Sequence, residues 1–180
     1  MIRGILPTGS VARDNWGVAL DTNSVAAFPD VAADLRRTID SALPVLQSMS
    51  EADAERPRAP GKWCPKQVLG HLIDSAANNH QRFVRGQQGT ELVTPAYAQD
   101  QWVDCQAYVA RSWRDLTSLW HAYNHHLAHV IERIPPDRAR VRCTIGANQP
   151  VTLAFVADDY VAHMRHHLGQ INARLSPAGA

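Results

Sequence analysis

The sequence predicts an all-α protein built as a four-helix bundle. Apolar residues recur at helical spacing in four separate segments, and prolines and glycines fall between those segments. The 180-residue chain is 45% hydrophobic and 19% charged, which is typical of a globular domain with a buried core. Four helices, three of them long and joined by two longer connections, favour a bundle.

The first two predicted helices are separated by a loop rich in proline and glycine. The first begins near Asp30, follows an apolar helical period and ends around Met49. The loop covers residues 56–61. The second helix begins at Pro65, because proline suits the first helical turn, where its missing N–H has no partner. We expect this helix to run to about Arg85.

The third predicted helix is long, and two consecutive prolines stop it. It starts at Asp104 or Ser112, ends at Ile134 and precedes Pro135. The connection before it, around Pro95, is polar.

The fourth predicted helix closes the bundle. It begins with Thr152 as its N-cap and extends to about Leu175. Just before it, residues 141–151 combine β-type residues with a central glycine, which allows a short β-hairpin. Residues 1–28 lack a period and form a predicted N-terminal arm, which leaves residues 29–176 as the bundle domain.

Composition excludes several classes of function. A formal net charge of +1 argues against a nucleic-acid-binding protein. No apolar run reaches the roughly 20 residues that a membrane span needs, and the N-terminus lacks a secretory pattern. The three cysteines are far apart in sequence, which indicates a reducing compartment rather than a disulfide framework. These features predict a cytoplasmic protein.

Nine histidines are the unusual feature of the composition. Two histidines four residues apart lie on one face of a helix and can bind one metal ion. Three such pairs occur, namely His121/His125, His125/His129 and His163/His167. The first two lie almost opposite the apolar face of their helix, which favours a solvated surface. The third lies on the shoulder of an apolar face, so a metal pair and two satisfied polar residues both remain open.

The second helix carries a polar stripe that contains another histidine. His71, Asp74, Ser75, Asn78 and Arg82 lie roughly opposite the apolar residues of this helix. The position of these residues around the helix therefore favours a solvated helix face. The stripe would be functional only if it faced a cleft between helices.

Three segments together resemble a known family. The first spans residues 61–83 and contains Gly61-Lys62-Trp63 and the run from Val68 to Ser75; the others are residues 97–102 and 160–171. They resemble the DinB/YfiT-like metalloenzyme superfamily, in the same order, over roughly residues 30–175. The resemblance implies a four-helix bundle with a long crossover, often dimeric, and a divalent metal ion held by His71, His163 and His167.

The resemblance also implies an activity. The superfamily includes thiol S-transferases and a thiol-dependent isomerase, so we expect a metal-dependent thiol S-transferase that uses a low-molecular-weight thiol and a small-molecule substrate. All-nitrogen ligation favours Zn²⁺ or Ni²⁺. The alternatives are a metal-dependent hydrolase and a non-catalytic, stress-linked bundle that binds a metal or a small ligand. We expect a homodimer.

Five further residues are candidates for roles around the metal ion. Asp74 is predicted to orient a ligand or a bound water, with an exposed helix carboxylate as the alternative. Asn78 and Arg82 are candidates for contact with an anionic substrate or thiol, and Arg82 suits a surface or interface equally well. Tyr97 and Trp102 are candidates for the wall of the cleft, with core packing as the alternative.

Overall fold

Four helices of 20 or 21 residues dominate the fold. The computed structural model describes residues 27–172. Its helices are α1 (Phe28–Ser48), α2 (Glu51–Glu55), α3 (Pro65–Arg85), α4 (Gln99–Gln106), α5 (Trp113–Glu132) and α6 (Leu153–Asn172). Its strands are β1 (Glu91–Thr94), β2 (Arg142–Ile145) and β3 (Val151–Thr152), and single 3₁₀ turns lie at Tyr108–Ala110 and Pro136–Arg138.

The predicted four-helix bundle is confirmed. Helices α1 and α3 each pack against both α5 and α6, and one apolar core runs between them. The largest fully buried side chains include Trp120, Tyr160 and Phe83. Trp113 links two helix ends, because its Nε1 donates a hydrogen bond of 2.7 Å to the carbonyl oxygen of Leu46.

The helix boundaries follow from local capping chemistry. Ser112 caps α5 by accepting a 3.1 Å hydrogen bond from the backbone N–H of Asp115, so the later of the two predicted starts is correct. Thr152 caps α6, as predicted, through a 3.1 Å hydrogen bond from the backbone N–H of Phe155. Pro65 occupies the first turn of α3, also as predicted.

The predicted hairpin is present and belongs to a small sheet. Strands β2 and β3 pair antiparallel, whereas β1 pairs parallel with β2. Gly146 lies at the start of the hairpin turn with φ of 60°, a value that favours glycine, and its N–H donates a 2.8 Å hydrogen bond to the carbonyl oxygen of Thr94. The sequence analysis missed β1, because four residues are too few for a strand period to be distinct.

The polar connection around Pro95 contains β1 and α4, and α4 was not predicted. Helix α2 was also missed. Helices of five and eight residues have little stability of their own, and packing forms them. Lys66 holds this region together: its buried ammonium group lies 2.7 Å from Glu55 Oε1 and 2.5 Å from Glu51 Oε1, and it donates a 3.1 Å hydrogen bond to the Val109 carbonyl.

The ends of the predicted domain fall near the ends of the described residues. Phe28 already begins α1, two residues before the predicted start at Asp30. The rest of the predicted arm, residues 1–26, lies outside the described residues, and so does the predicted end of the last helix at Leu175. Within residues 27–172, no helix combines the length and apolar character needed to cross a membrane.

Candidate metal centre

The polar stripe of α3 is buried except at the half-buried Asn78, so its interpretation as a solvated face was wrong. His71 and Asp74 are only 1% and 2% exposed, and Ser75 and Arg82 are buried as well. The reason is tertiary: α5 and α6 cover one part of α3, while α4 and the 3₁₀ turn cover another. The ring of Tyr108 lies directly on Gly70, where a side chain would overlap it.

Three imidazoles converge where α3 meets α6. His71 Nε2 lies 3.1 Å from His163 Nε2. The ring centroid of His167 lies 4.6 Å from those of both His71 and His163. One ring nitrogen from each of the three residues can be chosen so that all lie within 4.8 Å of one another. His163 and His167 share a face because they are one helical turn apart, and the packing of α3 on α6 adds His71.

The three histidines are neutral at pH 7. Burial lowers the pKa of His71 to about 4, and the adjacent His167 acts in the same direction. Burial and the two neighbouring histidines lower the pKa of His163 to about 2. Burial also lowers the pKa of His167 to about 4, although a hydrogen bond to Gln170 opposes this change. Neutral imidazoles keep the lone pairs that a metal ion needs.

Two polar side chains that the sequence analysis did not assign to orienting roles lie behind these rings. Ser75 Oγ lies 3.4 Å from His163 Nδ1, and Gln170 Oε1 lies 3.1 Å from His167 Nδ1. Gln170 Nε2 also lies 3.0 Å from His166 Nε2, which fixes the amide with its oxygen towards His167. A donating Nδ1–H leaves Nε2 of the same ring as the ligand atom. The sequence signals for Gln170 were its position one turn after His167 and its place in the segment 160–171 that carries the family resemblance.

The donor set fits one divalent ion. Ligand atoms bound to one Zn²⁺ at about 2.0–2.1 Å lie about 3 Å apart, which matches the 3.1 Å between the Nε2 atoms of His71 and His163. Three neutral nitrogen donors in a largely buried site are the ligands that late divalent ions favour. Three protein ligands also leave a coordination position open, as in catalytic rather than structural sites.

Asp74 is held by the connection between α3 and α5, residues 86–112, which we call the crossover segment, rather than by a ligand histidine. Its Oδ1 accepts a 2.6 Å hydrogen bond from the Tyr108 hydroxyl and a second from Gln106 Nε2. Burial raises the pKa of Asp74, and these two hydrogen bonds oppose the change. In the part of the chain that the structure describes, Asp74 Oδ2 has no hydrogen-bond partner. The carboxylate therefore anchors the crossover segment one helical turn from His71.

The other predicted contact residues lie at different distances from the histidines. The ring of Tyr97 lies 6.5 Å from that of His71, and Trp102 packs on Tyr97 at 5.0 Å. Burial raises the pKa of Tyr97 to about 12, so its phenol stays protonated. Arg82 donates a 3.1 Å hydrogen bond to Asn79, and its charge helps to lower the pKa of His163. Asn78 donates to the backbone carbonyl of Asp74 at 2.9 Å.

A cavity of about 310 Å³ adjoins the histidines. His167 and Gln170 line it from α6, and Trp63, whose ring lies 5.3 Å from that of His71, lines it from the loop before α3. Charged side chains complete the wall, among them Lys62 from the loop before α3 and Asp100 from α4. The sequence analysis used Trp63 only as part of the family resemblance and not as a site residue.

The histidines of α5 lie away from this centre. His121 and His125 are partly exposed and His129 is exposed, in agreement with the predicted solvated face. His125 Nε2 lies 3.0 Å from Asp40 Oδ1 on α1.

Comparison with known proteins agrees with this architecture. Residues 34–171 match the family model described as the DinB superfamily. The chain belongs to the DinB superfamily. The resemblance inferred from the sequence is therefore confirmed, since the match covers most of the chain.

A solved structure shares the superfamily fold. It is described as "YfiT from Bacillus subtilis is a probable metal-dependent hydrolase with an unusual four-helix bundle topology". The TM-score is 0.71 at 19% sequence identity, and the alignment covers 89% of this chain and 94% of that one. This similarity establishes the fold. A search of curated proteins finds none with significant similarity to the chain.

Proposed function

We propose that the chain is a metal-dependent enzyme in which His71, His163 and His167 hold one divalent ion and a small nucleophile is activated beside it. The observation that carries the proposal is the convergence of three neutral imidazoles, two buried and one half-buried, next to a cavity. A divalent ion held by such ligands lowers the pKa of a coordinated thiol or water towards neutrality.

The residues of the chain would position the reactants. His167 is shared by the three-histidine group and the cavity wall, so a molecule in the cavity lies against the ligands. The neutral phenol of Tyr97 can donate a hydrogen bond near His71. Trp63 lies against His71 and would limit the access of water to it.

Our leading hypothesis for the reaction is thiol S-transfer, in which a low-molecular-weight thiol attacks an electrophilic small molecule. It rests on the family resemblance, together with a cavity that has Arg58 and Lys62 in its wall and suits a thiol bearing an acidic group. Hydrolysis is the second hypothesis, because the structurally similar YfiT is described as a probable metal-dependent hydrolase. The same three ligands would serve either nucleophile.

Consumption of an electrophile with and without added thiol separates the two reactions. The protein would be loaded with Zn²⁺ or Ni²⁺ and assayed with 1-chloro-2,4-dinitrobenzene and a panel of thiols, and separately with a p-nitrophenyl ester and no thiol. We expect turnover that requires both the thiol and the metal. Thiol-independent ester hydrolysis would instead support the hydrolase.

Matched variants test the site itself. His163→Ala should abolish turnover and the tightly bound metal, whereas His129→Ala, at an exposed histidine of α5, should retain both. Equal metal content and activity in the two variants would contradict the assignment and favour a non-catalytic bundle. The homodimer remains a proposal, which light scattering on the eluting protein would test.

A further inference from the structure

A second group of metal-ligating side chains lies on the outer side of the bundle, where α1 meets α5. Asp40 Oδ1 is 3.0 Å from His125 Nε2, and the rings of His121 and His125 are 4.6 Å apart. One oxygen or nitrogen from each of these three residues can be chosen so that all lie within 4.8 Å of one another. We call this group the seam site.

We propose that Asp40, His121 and His125 bind a late divalent transition ion such as Zn²⁺, separately from the three-histidine centre. His121 and His125 are one helical turn apart, so their rings project from one face of α5. Asp40 adds a carboxylate from α1. Two imidazoles and one carboxylate are a donor set that such ions favour.

The two helices that supply the ligands are already held together. Helices α1 and α5 pack closely along their length, and Arg36 makes two hydrogen bonds to Glu132, of 2.8 and 3.3 Å, further along the same seam. Arg36 pairs with Glu132, and Asp40, further along α1, pairs with His125, which is earlier in α5. The two helices are therefore antiparallel, and neither helix must move to complete the site. The helices therefore lose little conformational freedom when the ion binds.

The alternative is that Asp40 and His125 form an ordinary ion pair, like Arg36 and Glu132. An ion pair needs only two groups, so it does not explain why His121 lies beside them. The seam site differs because a third donor lies in contact with the second. The 3.0 Å between the Asp40 and His125 atoms suits an ordinary hydrogen bond and two ligands of one ion alike, so the third donor carries the distinction.

Solvent exposure sets the character of the seam site. The side chain of Asp40 is 64% exposed and that of His125 is 33% exposed. Water can therefore fill the remaining coordination positions, and the ion can exchange freely with solvent. We expect weaker binding than at the buried centre, so the chain would bind two ions at saturation, one tightly and one weakly.

A zinc titration of the metal-free protein against a chromophoric chelator tests the seam site. Wild type should bind two equivalents. His121→Ala should keep the tight equivalent and lose the weak one, with the weak affinity reduced about 100-fold or more, since even an outer-shell partner accounts for about 10–100-fold. His129→Ala, an exposed histidine four residues along the same helix, is the matched control and should still bind two.

Two further variants make the result decisive. His71→Ala should lose the tight equivalent and keep the weak one, which separates this proposal from the function proposed for the buried centre. Asp40→Asn should weaken only the seam site. Identical isotherms for His121→Ala, Asp40→Asn and wild type would overturn the proposal, and so would loss of the weak equivalent only in His129→Ala. The titration does not depend on catalytic activity.

Discussion

Replacing His71 by leucine should make the stability of the metal-free protein less sensitive to acid. His71 is almost completely buried, and its pKa falls from 6.5 to about 4 on folding. Between these values the unfolded chain binds a proton that the folded chain excludes. The contribution of His71 to the free energy of unfolding is therefore fully present above about pH 6.5, and it is lost as the pH falls towards 4.

The size of the effect follows from the two pKa values. At pH 5 a histidine with an ordinary pKa is almost fully protonated, whereas one with a pKa of about 4 is mostly neutral. The difference destabilises the fold by about 2 kcal/mol relative to pH 7, because each tenfold difference in proton affinity between the two states corresponds to about 1.4 kcal/mol. His71→Leu removes this contribution, so its loss of stability between pH 7 and pH 5 should be smaller than that of wild type by about 2 kcal/mol.

Urea unfolding measures this difference directly. Wild type, His71→Leu and the exposed control His129→Leu would be dialysed against a chelator and unfolded at several pH values. The control should follow wild type, because the side chain of an exposed histidine is hydrated in both states. Parallel curves for wild type and His71→Leu would refute the conclusion that His71 is buried and neutral.

Two further predictions concern the residues around the centre. Gln170→Leu removes the hydrogen-bond acceptor of His167 Nδ1 and should weaken zinc binding by about 10–100-fold, whereas Gln170→Glu should retain most of the affinity; equal affinities in a chelator competition would contradict the orienting role. Gly70→Ala should destabilise the protein by about 1–3 kcal/mol in urea unfolding, because the new methyl group overlaps Tyr108. Gly169→Ala has open space around it and should stabilise α6 by up to about 1 kcal/mol, so destabilisation in both variants would exclude the overlap as the cause.

The long helices could be predicted because their signals are local. Ser112 and Thr152 cap the helices that follow them, and Pro65 marks the first turn of α3, as the sequence indicated. Helices α2 and α4 could not be predicted in this way. Contacts from distant parts of the chain stabilise them, such as the hydrogen bonds from the Trp113 N–H to Glu51 and from Gln106 Nε2 to Asp74, and a local pattern does not contain those contacts.

The residues of the candidate metal centre also differ in how far the sequence predicted them. The spacing of His163 and His167 could be read directly from the sequence, and it favoured a metal pair no more than two ordinary polar residues. The position of His71 around its helix did not indicate a ligand, because a polar stripe opposite the apolar residues of a helix was assumed to face water. In the structure α3 is covered on more than one side, so a polar residue on that stripe is buried.

The sequence by itself determined the fold class, the approximate limits of four helices and the histidine pair on α6, since capping, proline placement and helical periodicity act over a few residues. The tertiary structure decided what burial and long-range packing control. It brought His71 against the pair on α6, made the three imidazoles neutral, and set Gln170 and Ser75 behind the rings. It also placed Asp40 beside His125, a contact across 85 residues that no local pattern could indicate.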